Sequence, residues 1–311
     1  MSILFTFPGQ GAQRAGMLRA LPAAPAVHHT LTEASDTLGR DVLTLDTEKA
    51  FESSVAVQIA LLVAGVAMGR CLAKLAGPPD AVAGLSVGAY PAAVVAGVVG
   101  FADALRLVER RAGLMEAAFP SGYGMTAILG LELSVLEALV AAVHASDSPV
   151  YIANVNAPTQ LVIAGAHAAM ARVASLAQSR GAHGIKPVAI NVPSHCPLLD
   201  APAAALALAV AAVPMSAPRL HLFSASLGRE LRDPARIADD LAHNMASRVL
   251  WHDTTALARE RGVRLSIEMP PGNVLTKLAA VALPDTVCVA VSDTRTDTLA
   301  VLMKRERERD A

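Results

Sequence analysis

Residues 81–91 read Ala-Val-Ala-Gly-Leu-Ser-Val-Gly-Ala-Tyr-Pro, an apolar run leading into Gly84-Leu85-Ser86-Val87-Gly88 and then a helical pattern. A G-x-S-x-G between a strand and a helix lifts one serine hydroxyl out of a sharp turn, because the glycines have no Cβ to collide there. The first N–H groups of the following helix lie beside that hydroxyl, where an oxyanion forms during acyl transfer. Ser86 is therefore the candidate nucleophile. A coincidental glycine-rich turn is the plain alternative.

A serine hydroxyl needs a base, and the chain has nine histidines. His195 is the best placed. It follows the strand-like Val188-Ala189-Ile190-Asn191-Val192 in a tight Pro193-Ser194-His195-Cys196-Pro197 corner, and strand ends are where α/β sites collect. A hydrogen-bonded structural histidine would sit in the same place. No acid partner can be picked out, so a backbone carbonyl is left as a possible holder of the imidazole tautomer.

Arg111 stands out by geometry. On a helix over 101–118, Ala104, Val108, Ala112 and Met115 share one apolar face. At 100° per residue Arg111 falls about 60° from Val108, at the edge of that face. Such a guanidinium either snorkels to a structural carboxylate or clamps the carboxylate of a substrate. Phe7-Pro8-Gly9-Gln10-Gly11 closes the first strand-like run as a β-to-α turn. Its backbone N–H groups can also serve as oxyanion donors.

The elements that must carry these residues read as α/β with a mainly parallel sheet. Strand-like runs at 3–7, 81–85, 125–129, 150–153, 160–164, 187–192, 220–224, 264–268 and 286–291 alternate with helical patterns. Residues 124–190 have their own rhythm of strand, helix, two strands, helix and strand. That predicts a small ferredoxin-like subdomain inserted between 1–123 and 191–311 of a larger catalytic domain.

Composition bounds the rest. The 311 residues are 53% hydrophobic, 17% charged and only 3% aromatic, with net charge −1, so Ala, Val and Leu must build the core. Nothing is basic enough to suggest nucleic acid. The apolar stretches 55–69, interrupted by Gln58, and 203–213 are shorter than a bilayer span and read as core helices. Ile3–Phe7 opens directly as a strand with no basic leader, and Cys71, Cys196 and Cys288 are few and scattered. A cytoplasmic protein with free thiols, no metal site and no membrane partner is expected. The charged run 304–310 reads as a solvated helix end. No P-loop, G-x-G-x-x-G or H-E-x-x-H is present.

Together, Phe7–Gly11, Gly84–Gly88, Phe101 through Arg111, Asn154-Val155-Asn156-Ala157-Pro158 and Pro193–Cys196 resemble the malonyl-CoA:acyl-carrier-protein transacylase family over nearly the whole chain. The resemblance implies an α/β-hydrolase-like large domain and a ping-pong acyltransferase. Malonyl-CoA would be the substrate, with no permanently bound cofactor. Ser86 would be the nucleophile, His195 the base, and Arg111 the clamp for the free malonyl carboxylate. The N–H groups of Gln10 and Val87 would form the oxyanion hole. The family's glutamine, whose backbone carbonyl orients the histidine, is matched by Asn244.

Within the family, the elbow and the opening segment look most similar to the epsilon subunit of malonate decarboxylase. That implies a carrier with a dephospho-CoA-type arm as acceptor. The alternative is a loader of fatty-acid or polyketide synthesis, whose carrier bears a phosphopantetheine-type arm. A serine thioesterase or a non-catalytic subunit are further readings, and the inward Arg111 argues against the thioesterase. Leu85 replaces the usual His, Ala89 the usual Glu, and the late turn reads Glu268-Met269-Pro270-Pro271-Gly272. These departures bear on pocket shape and acceptor, not on a catalytic atom.

Overall fold

A computed structural model describes residues 1–119 and 121–309. Its strands are β1 (Ile3–Phe7), β2 (Ala81–Gly84), β3 (Tyr123–Leu129), β4 (Val150–Ala157), β5 (Gln160–Ala166), β6 (Gly184–Val188), β7 (His221–Ser224), β8 (Arg229–Leu231), β9 (Leu265–Glu268) and β10 (Val287–Ala290). They form two sheets. The larger has the order β10-β9-β1-β2-β7-β8 and is parallel except for β8, which runs antiparallel to β7 at the edge.

Period-two alternation explains why the central strands are apolar throughout. Ile3, Phe5 and Phe7 project into one core with Val82, Leu265 and Ile267. Leu4 projects to the other face, with Ala81, Ala83, Phe223 and Trp251. A sheet covered on both faces has no polar side to show.

The long helix Ser54–Ala76 packs on the first face and is buried without interruption from Ala56 to Gly69. It continues past the apolar stretch through Arg70, whose guanidinium reaches Glu33 at 2.7 Å on helix Pro25–Leu38. The helix is thus long and apolar enough to cross a membrane, contrary to the length read from sequence. Here it is the core of the large unit.

Residues 123–188 build the second sheet, order β4-β5-β3-β6 and antiparallel throughout, as a βαββαβ unit with its own apolar cluster around Ile128, Leu136, Ile163 and Val173. The strand expected at 187–192 lies earlier, at Gly184–Val188. After Val188 the chain leaves β3 and crosses to the large unit, so Ile190 and Val192 pack in cores without being paired. β8 was not legible: three residues, two of them charged, carry no periodicity. The charged C-terminal run is less solvated than expected. Glu306 is buried against Arg264 at 2.8 Å, and Arg307 donates to the Ala76 carbonyl; Asp310 lies outside the described residues.

Candidate active site

The site lies at the carboxyl ends of β1 and β2, where ligands of open α/β sheets bind. β2 ends at Gly84 and a single 3-10 turn, Ser86–Gly88, leads into helix Ala89–Val95. A Cβ at Gly84 would overlap the Gly88 carbonyl, and one at Gly88 would overlap the Phe7 carbonyl, so the turn admits no larger residue at either position. Ser86 takes φ 58° between them. His195 takes φ 65°. Among the described residues these two are the only non-glycines in the left-handed region, a conformation that surrounding structure must enforce.

Both strained residues meet. His195 Nε2 lies 2.8 Å from Ser86 Oγ. On the far side of the ring, Nδ1 faces the carbonyls of Asn244 at 2.8 Å and Ser247 at 3.1 Å. Two carbonyl acceptors hold the proton on Nδ1, so Nε2 is the free acceptor toward the serine. The backbone N–H of His195 donates to Met245 at 2.7 Å, which fastens the corner to the same segment. That segment follows helix Pro234–His243, with Asn244 as the C-cap, where carbonyls are free of helical partners. Burial, and then the nearby positive Arg111, push the His195 pKa down to about 4, so the imidazole is neutral near pH 7.

Arg111 is not at the edge of its stripe but fully inside, 1% exposed. Its Nη1 donates to Gln58 Oε1 at 2.6 Å, and its Nη2 to Asn244 Oδ1 at 3.2 Å and Ser86 Oγ at 3.3 Å. Every one of these partners is neutral, and Nε has none. Burial lowers its pKa to about 10, which still leaves it cationic at neutral pH. The protein thus holds a buried positive charge beside the serine without a carboxylate to match it among the described residues.

Gln58 is the participant that sequence reading missed. It breaks the apolar run of helix Ser54–Ala76, is fully buried, and joins Arg111 to Gln10 through its own amide, Nε2 to Gln10 Oε1 at 3.0 Å. A lone amide in the middle of a core helix was the available signal.

Gln10 follows β1 on the loop that lies against the elbow: Leu85 N–H donates to the Phe7 carbonyl, and a Cβ at Gly9 would sit 3.4 Å from Ser86 Cβ. Val87 is the residue after the serine and is buried. Ser86, His195, Arg111, Asn244, Gln10 and Val87 are therefore brought together. A groove of about 670 Å³ includes His195, Cys196 and Arg248 on one wall and His144, Tyr151 and Ile152 of the small unit on the other. Cys196 is buried and burial pushes its thiol up to about 12, so it is no competing nucleophile. Among the described residues no cluster could hold a metal ion.

Such a constellation can acylate a serine and hold a distal anion. Residues 4–310 match the acyl transferase domain family. The chain is 38% identical over 280 residues to the malonyl CoA-acyl carrier protein transacylase of Salmonella typhimurium, covering 88% of this chain and 90% of that one. It is 37% identical to the Haemophilus influenzae protein of the same name, over 92% and 94% of the two chains. Among solved structures, the Coxiella burnetii malonyl CoA-acyl carrier protein transacylase superposes with a TM-score of 0.92 at 32% identity, over 98% of both chains. A malonyl-transacylase solved in complex with its type II PKS acyl-carrier protein superposes at 0.91 and 34% identity, over 97% of this chain and 99% of that one.

Proposed function

The chain belongs to the acyl transferase domain family, and from that premise we propose that it moves malonyl from malonyl-CoA, through an ester on Ser86, to the thiol of an acyl carrier protein. One observation carries the choice of acyl group. Arg111 is a buried cation with only neutral partners, 3.3 Å from the nucleophile. A malonyl thioester brings a free carboxylate to that place and supplies the missing anion, bound by the planar two-point fork that only Arg offers.

The steps use this chain's own groups. Ser86 Oγ attacks the thioester carbonyl carbon while His195 Nε2 takes its proton. The N–H groups of Gln10 and Val87 receive the oxyanion. The C–S bond breaks and the CoA thiolate takes the proton back from His195. The carrier thiol then gives its proton to His195 and attacks the ester, and Ser86 leaves as the alcohol. The cycle balances with donor, acceptor and these residues alone.

For the acceptor, the named relatives and the carrier complex favour a fatty-acid or polyketide carrier with a phosphopantetheine-type arm. The malonate decarboxylase acceptor, with its dephospho-CoA-type arm, draws no support from those relatives. The groove beside His195 has the size of a small-molecule site, and its contact with the base supports reading it as the approach for a thin arm. We also read 124–190 as a ferredoxin-like subdomain on an α/β-hydrolase-like large domain, supported by the antiparallel βαββαβ order and the strand–turn–helix nucleophile, and we place the protein in the cytoplasm.

The test offers malonyl-CoA with fatty-acid, polyketide and malonate decarboxylase carrier proteins and reads each carrier by intact mass. A malonylated fatty-acid or polyketide carrier supports the reading. Release of free malonate with no carrier loaded would replace it with a thioesterase.

A further inference from the structure

We propose that the side chain of Asn244, apart from its backbone carbonyl, is a positioning residue for the acyl group's carboxylate. The inference rests on malonyl transfer as the activity. Asn244 is 5% exposed and caps helix Pro234–His243. Its carbonyl takes the His195 Nδ1 proton at 2.8 Å, while its Oδ1 takes a hydrogen bond from Arg111 Nη2 at 3.2 Å. A guanidinium only donates, so it is the oxygen of the amide that faces it.

One residue therefore spans the two halves of the site, base on one side and cation on the other. With Gln58 on Nη1, Asn244 on Nη2 fixes the guanidinium plane from both ends. Asn244 Nδ2 and Arg111 Nε are both buried donors without an acceptor. Unpaired buried donors cost free energy, and native proteins keep few of them. Two buried donors, one on the cation itself and one on the amide bonded to it, suit an acceptor group with more than one oxygen, and a carboxylate is that group. The neutral amide is essential to this arrangement. An acidic residue at 244 would supply the anion permanently and close the place that the substrate must fill.

The test compares kcat/KM for malonyl-CoA and acetyl-CoA, with a loading-competent carrier, in wild type, Asn244→Ala and Asn244→Asp. Both substitutions retain the carbonyl that holds His195. The expected result is a fall in the malonyl-to-acetyl ratio of roughly 10- to 100-fold in both, the size of one hydrogen bond to a charged group. In Asn244→Asp the fall should reside mainly in KM for malonyl-CoA, because the new carboxylate occupies Arg111. The acid limb of the acetyl pH profile should stay in place or, in Asn244→Asp, move up. A ratio within about twofold of wild type in the folded variants overturns the inference. A wild type that itself transfers no malonyl is the separate failure of the functional reading. Asn244→Asp is nearly isosteric, so it remains informative should Asn244→Ala fold poorly.

Discussion

Arg111 Nη2 donates to Ser86 Oγ at 3.3 Å, so the guanidinium and the nucleophile are in direct contact before any substrate arrives. The hydroxyl is thereby held between a donor and the His195 acceptor, with its own proton directed to Nε2 at 2.8 Å. An acyl group on Ser86 must pass within reach of Arg111. Recognition of the group and its transfer are parts of one arrangement.

Ser86 should carry the acyl group. Brief incubation with malonyl-CoA, read by intact mass, should show a malonyl adduct on the wild type and none on Ser86→Ala. An adduct of undiminished yield in the variant would place the ester elsewhere.

His195→Ala should slow acylation by roughly 10²- to 10⁴-fold, the usual size of a general-base contribution, with little change in malonyl-CoA affinity. Rapid-quench acylation alongside equilibrium binding separates the two. Lost affinity with an intact rate constant would make His195 structural.

The pH profile follows from the depressed His195 pKa. The base works only when neutral, so kcat/KM should stay level from pH 7 to about pH 5 and fall through a limb near about 4. An ordinary limb near 6.5 would show that burial and Arg111 do not act on the ring as described. The same shift has a stability consequence. Between the two pKa values the unfolded chain binds the proton and the folded one does not, so stability falls as pH drops from about 6.5 to 4. The loss approaches about 3 kcal/mol at ~1.4 kcal/mol per pKa unit. Denaturant titrations should show this loss in wild type and a shallower pH dependence in His195→Ala.

Gly88→Ala should cost about 3 kcal/mol or more, because its Cβ overlaps the Phe7 carbonyl of a central strand that cannot move alone. Thermal melts check this. A melting point within a degree or two of wild type would mean that the elbow is looser than its geometry.

The elbow, the His195 corner and the parallel sheet were legible because each is local: glycine spacing, a proline-bounded turn, continuous apolar runs. Arg111 was legible only in direction. Periodicity placed it beside an apolar face, but full burial depends on helix Ser54–Ala76 supplying Gln58, a contact 53 residues away in sequence. Asn244 was reached only through the family resemblance and not from its own residue type, since its role comes from a helix end meeting His195 across 49 residues. The shift of the expected 187–192 strand has the same origin. Val188 is the last residue paired with β3, and apolar Ile190 and Val192 serve the core without a partner strand.

The central claim is that a buried, unmatched Arg111 reads the acyl group, and kcat/KM for malonyl-CoA and acetyl-CoA in wild type, Arg111→Ala and Arg111→Lys tests it most directly. Breaking a buried charged pair by removing one partner costs about 2–5 kcal/mol. Arg111→Ala should therefore lose malonyl transfer by more than about 30-fold while acetyl transfer holds or improves. Arg111→Lys should recover only part of the malonyl rate, because an ammonium cannot reproduce the two-point fork. Equal losses for both substrates would contradict the account and make Arg111 a structural residue.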